Sequence, residues 1–173
     1  MYQSFSSNKL DQDGYRPNVA IVVHNCSGQV LWARRSQRDG WQFPQGGVER
    51  DETAEQAAFR ELYEEVGLEP EHVRLVGRTQ AWLKYEVPFG AKRTSRRRTQ
   101  FKGQKQLWFL FQMLGHDSDV CLNRVSRPEF DSWRWVDYWD PVDKIVAFKR
   151  HVYIRALTEL EPFVNESIVP EIR

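Results

Sequence analysis

Cysteine is scarce in this sequence, with two in 173 residues, Cys26 and Cys121. They lie far apart, form no CxxC pair and have no histidine at zinc-ligand spacing. That excludes a disulfide scaffold and the usual zinc patterns, and it predicts two reduced thiols in a cytoplasmic protein. Long hydrophobic runs are also missing. None approaches the ~20 residues that span a bilayer, so no membrane association is expected. The opening MYQSFSSNKLDQDG is polar and does not read as a signal peptide. Charge of one sign is lacking too, since 25 Lys and Arg stand against 24 Asp and Glu. This balance rules out a uniformly basic nucleic-acid coat protein but leaves room for a local basic patch.

What the sequence does contain is enough apolar material for a core, 40% hydrophobic and 13% aromatic, at the length of one domain. Residues 1–12 read as a flexible N-terminal tail, 13–161 as a single domain, and 162–173 as a C-terminal tail. Asn18 to His24 predicts a buried strand, with Gln29 to Ala33 as its hairpin partner across Ser27-Gly28. A helix is predicted from about Glu52 to Val66, stopped by Gly67. Arg74 to Leu83 alternates as a strand, Tyr85 to Lys105 reads as a long polar loop, and Gln106 to Leu114 as a central strand. Ser118 to Leu122 and Trp133 to Val136 are short strand candidates. Pro141 opens a helical stretch, and a longer helix runs from about Phe148 to Leu160, with Pro162 ending the fold. Strands interrupted by helices imply an α/β (α+β) layered domain.

The segment Gly46 to Leu68, GGVERDETAEQAAFRELYEEVGL, is the most informative. On a helix, Ala54, Ala58, Leu62 and Val66 form an apolar stripe. Glu61, Glu64 and Glu65 fall together beside it, because positions i, i+3 and i+4 share a face. Three carboxylates this close repel one another, and the local sequence supplies no three cations for them. A hard divalent cation resolves the conflict: Mg²⁺ prefers oxygen ligands and is usually completed by water and substrate phosphates. The cluster therefore points to metal-assisted phosphate chemistry. Arg60 is placed to reach back to Glu52 and lock the preceding loop, and Gly46-Gly47 allows a sharp entry to the helix.

The spacing G-x5-E-x7-R-E-U-x-E-E-x-G-U, with Gly46, Glu52, Arg60, Glu61, Leu62, Glu64, Glu65, Gly67 and Leu68, resembles the Nudix box at every defined position. Gly14 to Val19 and Trp41 to Gly47 resemble the branch that holds bacterial RNA pyrophosphohydrolases and diadenosine tetraphosphate hydrolases. Gly103 to Gln106, Pro128 to Asp131 with Trp133 to Val136, and Tyr138-Trp139 with Val146 to Arg150 favour the first of these. The resemblance spans about residues 13–160 and fails between Pro88 and Phe101. It implies an α/β/α sandwich around a central mixed β-sheet. It implies Mg²⁺ or Mn²⁺, two or more ions, on Glu61, Glu64, Glu65 and the Gly46 carbonyl, with Glu52 and Arg60 fixing the loop–helix geometry. Glu65 and Glu129 are both candidates for the base that activates water.

From Lys84 to Lys105 there are eight cations against one acid, Glu86, a local charge of +7 that leaves about −6 for the remainder. Such a rim suits a polyanion. Arg16 and Arg35 are expected to clamp phosphate oxygens, as guanidinium geometry suits them, with Lys149 assisting. Gln104 joins the substrate-binding set. Most aromatics must be core, but Tyr85 and Phe148 are candidates to stack an unpaired base. The expected reaction converts the 5′-triphosphate end of RNA to a 5′-monophosphate. The rival substrate is a dinucleoside polyphosphate, which presents the same nucleoside 5′-polyphosphate end. A catalytically dead RNA-binding module of this fold should have lost box carboxylates, and this sequence keeps them. A monomer is expected, because no long exposed apolar helix face demands a partner.

Overall fold

The computed structural model describes residues 10–88 and 101–168. β1 (Tyr15–His24) carries the run NVAIVVH, buried on both faces, and pairs in parallel with β7 (Gly103–Met113) from Tyr15↔Gly103 to His24↔Gln112. Such near-continuous burial matches the apolar composition of both strands. β2 (Val30–Arg35) follows a turn at Gly28, whose φ of 75° suits glycine. Around this centre lie β3 (Trp41–Gln42), β4 (Gln45–Gly47), β5 (Val73–Arg78), β6 (Leu83–Glu86) and β8 (Phe130–Val136). The sheet order is β3-β2-β1-β7-β5, with β4 on β1, β6 on β7 and β8 on β2.

One face of the sheet packs on α1 (Ala54–Val66) through Ala57, Ala58, Leu62 and Val66 against Val19, Ile21, Phe109 and Phe111. The other packs on α3 (Arg150–Ile168) through Tyr153, Ala156, Leu157 and Leu160 against Trp32, Phe43 and Trp108. A short α2 (Asp140–Lys144) precedes α3. The result is the expected sandwich with a central mixed sheet.

Several boundaries differ from the sequence-based expectation. The loop after Tyr85 is shorter at both ends, because β6 runs on to Glu86 and β7 begins at Gly103, where the two strands pair. The expected strand Arg74 to Leu83 is two strands, parted at Thr79. There the Thr79 hydroxyl accepts from the Trp108 amide and the Thr79 amide donates to the Trp108 carbonyl. Ser118 to Leu122 is not a strand. A 3₁₀ turn covers Asp117–Asp119 and is held by the Asp119 carboxylate accepting from the His116 amide.

Pro162 does not end the fold, and the residues expected as a tail from 162 are helical to Ile168. Burial offsets the missing proline amide. Phe163 lies against Gly77, Val164 is core, and Ser167 Oγ is 3.0 Å from His24 Nε2. At the other end, residues 10–12 are tied down as well, with Asp11 accepting from the Tyr15 amide and 3.0 Å from Lys105 Nζ. The N-terminal residues 1–9 lie outside the described residues. So do Lys92, Arg93, Arg96, Arg97 and Arg98 of the basic loop.

Candidate active site

β4 seats the loop that enters α1. Its three residues pair with β1, Val19↔Gly46 at the centre, so the Gly46 backbone is fixed to the core sheet. Asp51 turns the chain with φ of 69°, and Thr53 then caps α1 in a capping box with Gln56. Gly46 lets Glu61 approach closely: a Cβ there would collide with the Glu61 carboxyl group and displace it.

Arg60 organises the acids. It donates to Glu52 through both Nε (3.1 Å) and Nη2 (2.6 Å), to the Gly47 carbonyl (2.9 Å) and to Glu61 Oε1 (2.7 Å), with Glu64 Oε2 at 3.4 Å. Glu52 also accepts from the Glu49 amide at 2.7 Å, which closes the loop on itself. The Arg60 guanidinium is thereby held charged, chiefly by Glu52. Glu65 lies deeper and accepts from the Gln45 amide at 3.0 Å. Burial, and then the Glu61 carboxylate beside it, holds Glu65 well above the usual carboxylate range. Burial likewise pushes Glu61 up to about 7, against the pull of Arg60.

Two buried acids that resist ionisation, beside a glycine backbone, fit a hard cation. Among the described residues no three acidic or imidazole side chains converge into a ready-made cage. The arrangement therefore suits an ion that keeps water and takes substrate oxygens. Glu61, Glu64, Glu65 and the Gly46 carbonyl are the groups that would hold it.

A set of cations comes from distant elements, of which Arg35 and Lys149 lie near Glu129 and Glu65. The Nε atoms of Arg16 (β1) and Arg35 (β2) are buried without hydrogen-bond partners among the described residues. Donors left open like this await an acceptor. Arg35 leans on Glu129 at 3.6 Å, and Glu129 in turn lies close enough to Glu65 to raise its pKa. Lys149, in the turn before α3, donates weakly to Gln42 Oε1 at 3.5 Å. Burial and then Arg35 pull its ammonium down to about 8.

Tyr85 departs from the sequence-based expectation. It is 3% exposed and donates to Gln104, so it has no free face for a base. Its ring instead sits under Lys149 (5.5 Å) and against Phe148 (6.0 Å), while Arg16 and Arg35 act on its hydroxyl. Gln104 stands between Tyr85 and Arg16, its register partners on β6 and β1. Phe148 is half-buried and packs against the core beside Tyr85.

Other contributors had not been singled out as site residues. Glu49 and Gln42 act as described. Gln45 is steadied by Gln106, whose Nε2 donates to Asn18 (2.8 Å) and Gln45 (3.2 Å). The available signal is a buried polar residue at the start of each strand's apolar run, Asn18 before VAIVV and Gln106 before LWFLF.

A family model described as the NUDIX domain matches residues 14–156. A curated protein of Stenotrophomonas maltophilia (strain R551-3) named RNA pyrophosphohydrolase is 56% identical over 156 residues, covering 90% of this chain and 75% of that one. Two solved structures share the fold. A C. elegans Ap4A hydrolase binary complex has a TM-score of 0.62 at 19% identity, over 87% of this chain and 98% of that one. The E. coli dihydroneopterin triphosphate pyrophosphohydrolase has a TM-score of 0.62 at 23% identity, over 87% and 99%. At those identities the structures speak to the fold alone.

Proposed function

The chain belongs to the NUDIX family, and from that premise we infer that it is an RNA pyrophosphohydrolase, a hydrolase of phosphoric anhydride bonds that converts a 5′-triphosphate RNA end to a 5′-monophosphate. The observation that carries the choice of substrate is the 56% identity to a relative of that name over most of the chain. Cleaving that end would expose a message to decay that depends on its 5′ end. Hydrolases of this family use divalent metals such as Mg²⁺. When bound, the metal supplies neutralisation of phosphate charge and acidification of a water.

This chain's own residues do the rest. Glu61, Glu64 and Glu65, with the Gly46 carbonyl, would hold the metal. Arg60 and Glu52 hold that loop and helix in register, acting on geometry rather than on substrate. Arg16 and Arg35 direct their open donors at the polyphosphate, and Lys149 adds a third cation from α3's leading turn. Glu65 and Glu129 lie near enough to act on one another, and each is a candidate for the base that activates water. Gln104 fixes the Tyr85 hydroxyl, and Tyr85 supports Lys149 and Phe148. Phe148, half-buried beside Tyr85, is the candidate to stack the first unpaired base. The protein acts as a cytoplasmic monomer.

A competition assay tests the reading. A short RNA with a 5′-triphosphate and diadenosine tetraphosphate are supplied at equal concentration with Mg²⁺, separately with Mn²⁺. Faster loss of the RNA triphosphate is expected. Faster loss of the dinucleotide would make dinucleoside polyphosphates the substrate, the alternative that shares this fold.

A further inference from the structure

The turn between β2 and β3 lies beside the chemistry without taking part in it. Residues Arg34 to Trp41 line a shallow cleft that is open to solvent. Its charges are unevenly spent. Arg34 is tied to Asp131 at 2.7 Å and Arg35 leans on Glu129. Arg38 is exposed and has no ion pair among the described residues, with Asp39 its neighbour in the chain. Counting Arg134, four arginines meet three acids, Asp39, Glu129 and Asp131.

Arg134, on β8, borders the cleft at Trp41. Its guanidinium lies over the Trp41 ring, 4.5 Å from the centroid, and the residue is exposed. The cation is therefore backed by indole on an otherwise solvent-exposed residue. A guanidinium plane fixed this way is a platform for an unpaired base, and a nearby free cation suits a backbone phosphate. An acidic peptide has no π-face to use such a platform. The cleft is also fastened to the active site. Ser36 donates its amide to the Glu129 carbonyl at 2.8 Å and its hydroxyl to the Pro128 carbonyl. An RNA whose 5′ end lies at the carboxylates and leaves past Arg35 meets this cleft next.

We propose that the β2–β3 turn forms a downstream RNA subsite, in which Arg134, backed by Trp41, stacks an unpaired base and Arg38 takes a backbone phosphate. The proposal rests on the RNA reading above, and its test is kept separate from hydrolysis. The probe is a labelled single-stranded RNA of about 12 nucleotides with a 5′-hydroxyl, followed by anisotropy. Arg134→Gln is expected to weaken binding about 5- to 10-fold. Arg38→Gln is expected to weaken it less and to lower the salt slope by about one. Neither should alter the binding of a labelled dinucleotide. Wild-type affinity and salt slope in both variants would overturn the subsite, as would equal losses for the dinucleotide. An Arg134→Gln effect of the same size on a polyglutamate probe would also overturn it, since that reads bare charge. Unchanged thermal midpoints in both variants show that the turn still folds. Hydrolysis of triphosphorylated RNA by the wild type is scored in parallel. Its absence, with site-dependent binding retained, would sink the enzymatic reading and leave the subsite standing.

Discussion

Around Gly46 every charged side chain, from Glu49 to Glu65, comes from one loop and one helix. Across the site, Arg16, Arg35, Tyr85, Gln104 and Lys149 come from β1, β2, β6, β7 and the turn before α3. The acidic half is wired internally, with Arg60 alone joining Glu52, Glu61, Glu64 and the Gly47 carbonyl. The basic half leaves donors open on Arg16 and Arg35. One half is closed on itself and keeps its shape without substrate. The other is incomplete until an anion arrives.

The largest effect that tests this contrast falls on the acidic half. Glu65→Gln keeps size and can still accept from the Gln45 amide, but removes a metal-seeking charge. Hydrolysis should drop by about 10²–10³-fold or more. Because burial holds the Glu65 carboxyl well above its ordinary range, its ionised form costs stability at neutral pH. The variant should therefore melt no lower than wild type without metal. Mg²⁺ should raise the melting temperature of wild type and raise that of the variant much less. Wild-type rates in Glu65→Gln would remove the metal site as drawn.

The second effect concerns the wiring. Arg60→Ala strands Glu52 and Glu61, each mostly withdrawn from water. Breaking a buried pair from one side is costly, but Arg60 is partly open, so about 2 kcal/mol is the scale expected by urea denaturation. Arg60→Lys should recover part of this, since a single ammonium cannot reproduce the fork across Glu52. Equal stability for Arg60→Ala and wild type would mean the acidic half does not depend on its internal ion pairs.

These two halves differed just as much in how far the sequence disclosed them. The box from Gly46 to Leu68 is local, so helical periodicity alone put Glu61, Glu64 and Glu65 together and let Arg60 reach Glu52. Even the helix boundary was close, shifted only to the Thr53 cap. The basic half depends on strand register across the sheet, which a single sequence does not display. Arg16 meets Gln104 through a parallel pairing 88 residues apart along the chain. Arg16 and Arg35 are expected from guanidinium chemistry, with Lys149 assisting, but the open donors of the two arginines become visible only with the fold. Tyr85 is buried rather than free to stack a base because it lies within β6, not at the mouth of a loop. Pro162 was misread because local propensity ends a helix there, while packing of Phe163, Val164 and Ser167 carries it on.

The third effect lies on the basic half and is a pH dependence. Lys149 is pulled down to about 8 by burial and Arg35. The value of kcat/KM follows ionisations of the free enzyme. It should fall as pH rises through about 8, on the order of tenfold once the amine is neutral. Lys149→Arg should flatten this limb, since guanidinium stays charged. Unfolding does not produce the same curve. A lysine whose folded pKa is lowered binds fewer protons folded than unfolded between about 8 and its ordinary value. Its contribution to stability therefore grows with pH in that window. A limb that persists unchanged in Lys149→Arg would assign it to another group.

The smallest effect separates support from contact within the basic half. Tyr85 is buried and donates to Gln104, whereas Phe148 beside it is only half-buried. Tyr85→Phe deletes only the hydroxyl and should cost about 1 kcal/mol of stability, with little change in KM for RNA. Phe148→Leu should do the reverse, raising KM by about fivefold, at the low end of base-stacking energies, with little change in stability. The crossed pattern is what matters, because each variant controls for the other. If Tyr85→Phe raised KM as much as Phe148→Leu, the Gln104 contact would be aligning substrate directly, and the line between support and contact would have to move inward past Tyr85.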